Sequence, residues 1–116
     1  MKRDLNLMRQ IMFDIENSSN GVLISELYPT KSIEEMDIVA EHLLLLADEG
    51  YIELGSCILG YGYPNYTVRR ITNDGHKFLT MVRNDTTWSK ILPKLLSAGG
   101  SVSLVALEQI ISKMFQ

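Results

Sequence analysis

Apolar residues recur at helical spacing over most of this chain and alternate with polar ones in one short stretch past its middle. The strongest helical signal runs from Ser32 to Gly50. With Leu43 set at zero and each residue advanced by about 100°, Leu46, Val39, Met36, Ala47, Ala40, Ile33 and Leu44 fall within an arc of about 160°, a wide core-facing stripe. The opposite side carries Glu34, Glu35, Asp37, Glu41, Asp48, Glu49 and His42, with Ile38 and Leu45 side by side among them. Ser32 followed by Glu35 predicts a capping box at the start. Gly50 suits the left-handed position just past the end.

The remaining elements follow in order. Asp4 predicts the N-cap of a first helix ending near Asn17, with Leu5, Leu7, Met8, Ile11, Met12 and Ile15 on one side. A turn over Asn17–Gly21 leads to Val22-Leu23-Ile24, a small strand or the entry to the next helical turn. Ser25–Tyr28 gives one or two helical turns stopped by Pro29. A short helix, a tight turn and a long helix make a helix-turn-helix unit. Tyr51–Leu54 reads as a strand that part of Ser56–Leu59 extends, and Tyr66–Thr72 as its return strand. The loop between them holds Gly55, Gly60, Gly62 and Pro64. Thr72 caps a helix with Phe78, Leu79 and Val82 inward, weakened by Gly75 in its first turn. Asp85–Trp88 opens another helix to about Ala98, bent at Pro93. Gly99-Gly100 breaks it, and Ser101 or Ser103 caps a final helix bearing Val105, Leu107, Ile110, Ile111, Met114 and Phe115.

The segment Val39-x-x-His42-Leu43-x-x-Leu46-x-x-x-Gly50-Tyr51-Ile52 resembles the end of the recognition helix and the first wing strand of bacterial winged helix-turn-helix proteins. In that fold this helix enters the major groove of DNA. The opening Met1-Lys2-Arg3-Asp4, the segment Ile71-Thr72-Asn73-Asp74-Gly75-His76-Lys77-Phe78-Leu79, the run Asp85-Thr86-Thr87-Trp88-Ser89-Lys90 and Gly99-Gly100-Ser101-Val102-Ser103 carry a second likeness. Together they resemble a family of short bacterial and phage- or prophage-associated winged-helix proteins of unknown function, over nearly the whole chain. The resemblance implies a fold and a mobile-element setting, and it implies no functional residues. The expected class is α+β, mainly α: a winged helix-turn-helix core over 1–83, with a small antiparallel hairpin wing, and a C-terminal helical extension over 84–116 packed on the same domain.

Composition adds mostly exclusions. At 116 residues and 46% hydrophobic content, the chain is long enough for one domain with its own core. The net charge of −3 gives no global basic footprint. The single cysteine, Cys57, rules out an internal disulfide framework and a thiol-rich zinc site. No apolar run approaches the ~20 residues of a membrane span, and the N-terminus continues into an amphipathic helix instead of a signal core, so the expected location is cytoplasmic. His42, His76 and Cys57 are the candidate nucleophile or base residues, and no catalytic motif surrounds them. Their separations of 15 and 19 residues match no common metal-ligand spacing. The expectation is a non-enzyme without cofactor or metal.

Two kinds of partner remain. Six carboxylates on the presumed reading helix repel DNA, and that helix offers only His42 to base edges. Outside Ser32–Gly50, however, 11 basic residues face 8 acidic ones. DNA contact is therefore expected through the wing and N-terminus, with Arg69, Arg70, Tyr63, Tyr66, Lys2 and Arg3 as candidates; the alternative is that Arg69 and Arg70 point to opposite sheet faces and at least one pairs with a nearby acid such as Glu53. Ile38 and Leu45, ringed by acids, form either a protein interface with an apolar centre and a charged rim or the surface that the C-terminal helices cover within the same subunit. Ile111 and Phe115 on the last helix predict a further apolar contact, with a second copy as one occupant. The first functional expectation is a non-catalytic, prophage-linked transcriptional regulator. The second is a protein–protein adaptor or anti-regulator that keeps the fold without binding DNA.

Overall fold

The computed structural model describes residues 2–114. The elements are α1 (Leu5–Glu16), β1 (Val22–Leu23), α2 (Ile24–Leu27), α3 (Ile33–Asp48), β2 (Ile52–Ile58), β3 (Asn65–Ile71), α4 (Asn73–Val82), α5 (Asp85–Ser97) and α6 (Leu104–Met114). The class is α+β and mainly helical. One antiparallel sheet has the order β1-β3-β2, with Val22 opposite Val68 and Glu53 opposite Arg70. The β2–β3 register shifts between Glu53 and Cys57, where Gly55 lies.

Each helix begins where its local chemistry dictates. The Asp4 carboxylate accepts from the Leu7 N–H to start α1, which buries Leu5, Met8, Ile11, Met12 and Ile15. Ser32 and Glu35 form the reciprocal capping box of α3. At its other end Gly50 takes φ +79°. The Gly50 N–H donates to the Ala47 carbonyl at 2.9 Å and the Tyr51 N–H to the Leu46 carbonyl at 3.0 Å. That paired closure needs a left-handed residue, and it turns the chain directly into β2.

Azimuth is where the sequence reading of α3 needs correcting. Met36, Val39, Ala40, His42, Leu43 and Leu46 are the buried residues. Ile33 and Leu44, expected inward, are 54% and 39% exposed. His42, expected outward, is buried. The buried arc is thus rotated by about 40° from the expected one. The cause is tertiary: the start of α1 lies over the His42 side, and Asp4 N–H donates to His42 Nε2 at 2.9 Å. Nδ1 faces the Ile38 carbonyl at 2.8 Å, so a neutral ring protonated at Nδ1 satisfies both contacts. Leu45, also expected outward, is half-buried against the core.

Gly75 is not the weak point its position in α4 suggested. It is buried, and a Cβ there would lie 2.1 Å from the Tyr51 carbonyl oxygen. The start of α4 packs backbone to backbone on the α3–β2 junction, an approach only glycine permits. The Thr72 N–H also donates to the Tyr51 carbonyl at 3.0 Å, and the Thr72 hydroxyl to the Gly50 carbonyl.

The last two helices are tied down at named points. Asn84 caps α5 by accepting from the Thr87 N–H, and Pro93 sits inside that helix. Trp88 is buried and donates Nε1–H to Asn6 Oδ1 at 2.8 Å. Arg9 reaches from α1 to the Val82 carbonyl at 2.8 Å and to Asp85 at 2.7 Å. Its guanidinium lies 4.7 Å from the Phe13 ring centroid and 5.5 Å from that of Trp88. The Tyr51 hydroxyl donates to the Val102 carbonyl, and its ring stacks on Phe78 at 4.7 Å. Ser103 supplies the cap of α6, accepting from the Ala106 N–H at 3.2 Å. Val102 and Leu107 join the same core as α1 and α3.

Candidate interaction surface

The outward side of α3 is an acidic face. Glu34, Glu35, Asp37, Glu41 and Asp48 are exposed, and the helix itself carries no Lys or Arg. Ile38 sits at the edge of this face, 45% exposed. The C-terminal helices do not cover it. Instead, Ile38, His42, Leu92 and Leu96 line a groove of about 420 Å³ that Lys2, Arg3 and Asp4 of the chain start also border.

On the hairpin, one of the two adjacent arginines is paired with Glu53, the alternative its sequence allowed. Arg70 pairs across the strands with Glu53 at 2.7 Å, and this hydrogen bond holds the Glu53 carboxyl below its usual range despite some desolvation. Arg69 is exposed and lays its methylenes over Gly55, where an added Cβ would meet Arg69 Cγ at 3.1 Å. Among the described residues no carboxylate stands within ion-pair distance of it. Tyr63 and Tyr66 are half-buried against the core, with the Tyr63 ring 5.9 Å from that of Tyr61. The hairpin tip presents apolar side chains, with Leu59 83% exposed beside Ile58 and Tyr61. The groove bordered by Lys2 and Arg3 includes neither arginine of β3. The six candidate nucleic-acid contacts therefore do not share one pocket. Of the candidate interface residues, Ile38 is exposed, while Leu45 and Ile111 pack against the core. Phe115 lies outside the described residues.

Three features escaped the sequence reading. Asn65, which looked like a turn residue after Pro64, is fully buried. Its Oδ1 accepts from the Ser25 N–H at 3.1 Å and its Nδ2 donates to the Ser25 hydroxyl at 2.9 Å, fastening β3 to α2. Arg9 is an internal strut, a role its polar setting in α1 does not signal. Lys90, Lys94 and Lys113 come together along a second groove of about 680 Å³ between α5 and α6. Helical spacing pairs the first two, and only packing adds the third. His42 is buried, while His76 and Cys57 are exposed. Among the described residues no three His, Cys, Asp or Glu side chains are placed to hold a metal ion, and no helix is long and apolar enough to cross a membrane.

Residues 2–101 match the family described as "Hypothetical protein (DUF2513)". An uncharacterized protein of Haemophilus influenzae is 30% identical over 115 residues, spanning 95% of this chain and 92% of that protein. The chain belongs to this family of unknown function. No solved structure matches it.

Proposed function

We propose that this protein is a non-catalytic regulatory module of the winged-helix class whose α3 docks protein instead of reading DNA. The sheet order β1-β3-β2, the tight passage from α2 to α3 and the β2–β3 hairpin support the winged-helix assignment. One observation carries the choice of partner: the exposed carboxylates of Glu34, Asp37, Glu41 and Asp48 lie on the outward face of α3. A duplex carries one negative charge per ~1.7 Å of axis, so seating this face in a groove sets like charge against like. A second reading keeps DNA as the partner but moves the contact to the hairpin, and the unpaired Arg69 favours it. A mobile-element setting, implied by the resemblance, suits either kind of small regulator.

Anisotropy of a labelled random duplex at low salt separates the two. Non-specific binders reach dissociation constants of about 10⁻⁴–10⁻⁶ M at physiological salt and bind far more tightly below it. The expected result is no saturable binding at about 50 mM salt, where the phosphate contribution is strong. Tight, salt-sensitive binding that Arg69→Ala weakens would replace the protein-docking reading with the hairpin-led one.

A further inference from the structure

We propose that the occupant of the Ile38 groove is a second copy of this chain, docked about a two-fold axis passing near Ile38. The inference rests on the reading that α3 docks protein. Viewed down α3 with Ile38 at zero, His42 lies about 40° to one side, while Glu34, Glu41 and Asp37 lie about 40°, 60° and 100° to the other. The His42 side is where the chain start crosses, through the Asp4–His42 hydrogen bond, and where Leu92 and Leu96 of α5 stand. Three bands therefore run side by side across this surface. Lys2 and Arg3, next to Asp4, form the lip on the His42 side; Ile38, with Leu92 and Leu96 in the same groove, forms an apolar seam; Glu34, Asp37 and Glu41 form the acidic flank beyond Ile38, while Glu35 lies about 60° to the His42 side.

Lys2, Arg3, Glu34, Asp37 and Glu41 have no opposite charge within 4.0 Å among the described residues. Leu96 and Ile38 are 58% and 45% exposed. An apolar centre with a charged rim is the anatomy of an interface. The order of the signs selects the partner. A two-fold axis lying along the seam reverses the order of the bands, so the lip of each copy falls on the flank of the other and the seams meet. This is the self-complementarity that an isologous dimer requires. A partner of one sign would satisfy one band and be repelled by the other.

Sedimentation equilibrium of the full chain tests this. The expected result is a species twice the 13.1 kDa monomer whose formation weakens as salt rises. Two charge-reversed variants sharpen it: Lys2→Glu with Arg3→Glu, and Asp37→Lys with Glu41→Lys. Each alone is expected to be monomeric, because like charges would then face each other twice. Mixed in equal amounts they are expected to restore a dimer, since each supplies the sign the other lacks. Far-UV circular dichroism checks that both are folded. If one is not, Ile38→Glu, at an exposed position, gives the monomer in its place. A wild-type monomer throughout, or a dimer indifferent to all these changes, overturns the inference and leaves α3 open to another protein. Tight duplex binding by the wild type overturns the underlying reading instead.

Discussion

At Gly75 two effects of opposite sign meet. Inside an exposed helix, Gly→Ala gains about 1 kcal/mol from propensity. Here the new methyl would sit 2.1 Å from a backbone oxygen, which cannot swing aside as a side chain would. The clash wins, and Gly75→Ala is expected to lower stability by about 3 kcal/mol, at the upper end for overpacking. A urea melt checks this, and a raised midpoint would mean that α4 and Tyr51 do not touch. His42 presents the converse case, a polar residue whose value lies in its partners. His42→Ala removes an acceptor from the Asp4 N–H and a donor from the Ile38 carbonyl. The expected loss is about 1–3 kcal/mol, chiefly from the Asp4 N–H left without its acceptor, read as a lower melting temperature.

Elements depend on their ends and on the ion pairs between neighbours. Ser32→Ala should cost α3 about 1 kcal/mol, a typical N-cap loss. The Ser32 N–H holds the Glu35 carboxyl below its ordinary range, Arg70 does the same to Glu53, and Arg83 to Glu16. A carboxyl whose folded pKa lies below its unfolded value stabilises fully above the unfolded value of about 4.3 and loses that stabilisation as pH falls through the folded one. The melting temperature should therefore fall on acidification below about pH 4, with a modest slope because these groups are exposed. Burial raises the phenol pKa of Tyr28 and Tyr51, with Asp14 adding to the effect at Tyr28. The sign reverses for these groups. Their stabilisation is present below the unfolded value of about 10 and lost at higher pH, so an alkaline limb should start there and become shallower in Tyr51→Phe.

Over the whole molecule, α5 and α6 are joined to the rest by a few long-range ties. Trp88, the single tryptophan, sits at one of them, between α5 and Asn6. Its fluorescence and the far-UV circular dichroism should therefore follow one urea transition with the same midpoint. An earlier fluorescence transition would show that the C-terminal helices undock first. Trp88→Ala is expected to cost about 3–5 kcal/mol, as large aromatic deletions in cores do. The dimensions of 51 × 26 × 22 Å describe an elongated body. Such a shape offers long lateral faces for partners, and the α3 groove opens onto the surface of this body.

The starts and stops of the helices, the hairpin and the acidic character of α3 could be read directly from the residues. The helix ends rest on contacts three or four positions apart, such as Ser32 with Glu35 or Gly50 with Ala47, and the hairpin and acidic face on local alternation and helical period, all of which the order of amino acids specifies without help. Packing decided the rest. His42 turned inward because Asp4, 38 residues away, came to rest on it. Arg9 became a strut because Val82, 73 positions on, offered a carbonyl. Asn65 became a fastener because Ser25 lay opposite, 40 residues earlier. Which flank of a helix faces inward depends on the neighbours that cover it, and periodicity along a single segment carries no information about those neighbours. For the same reason only the assembled structure placed the basic lip, the apolar seam and the acidic flank side by side.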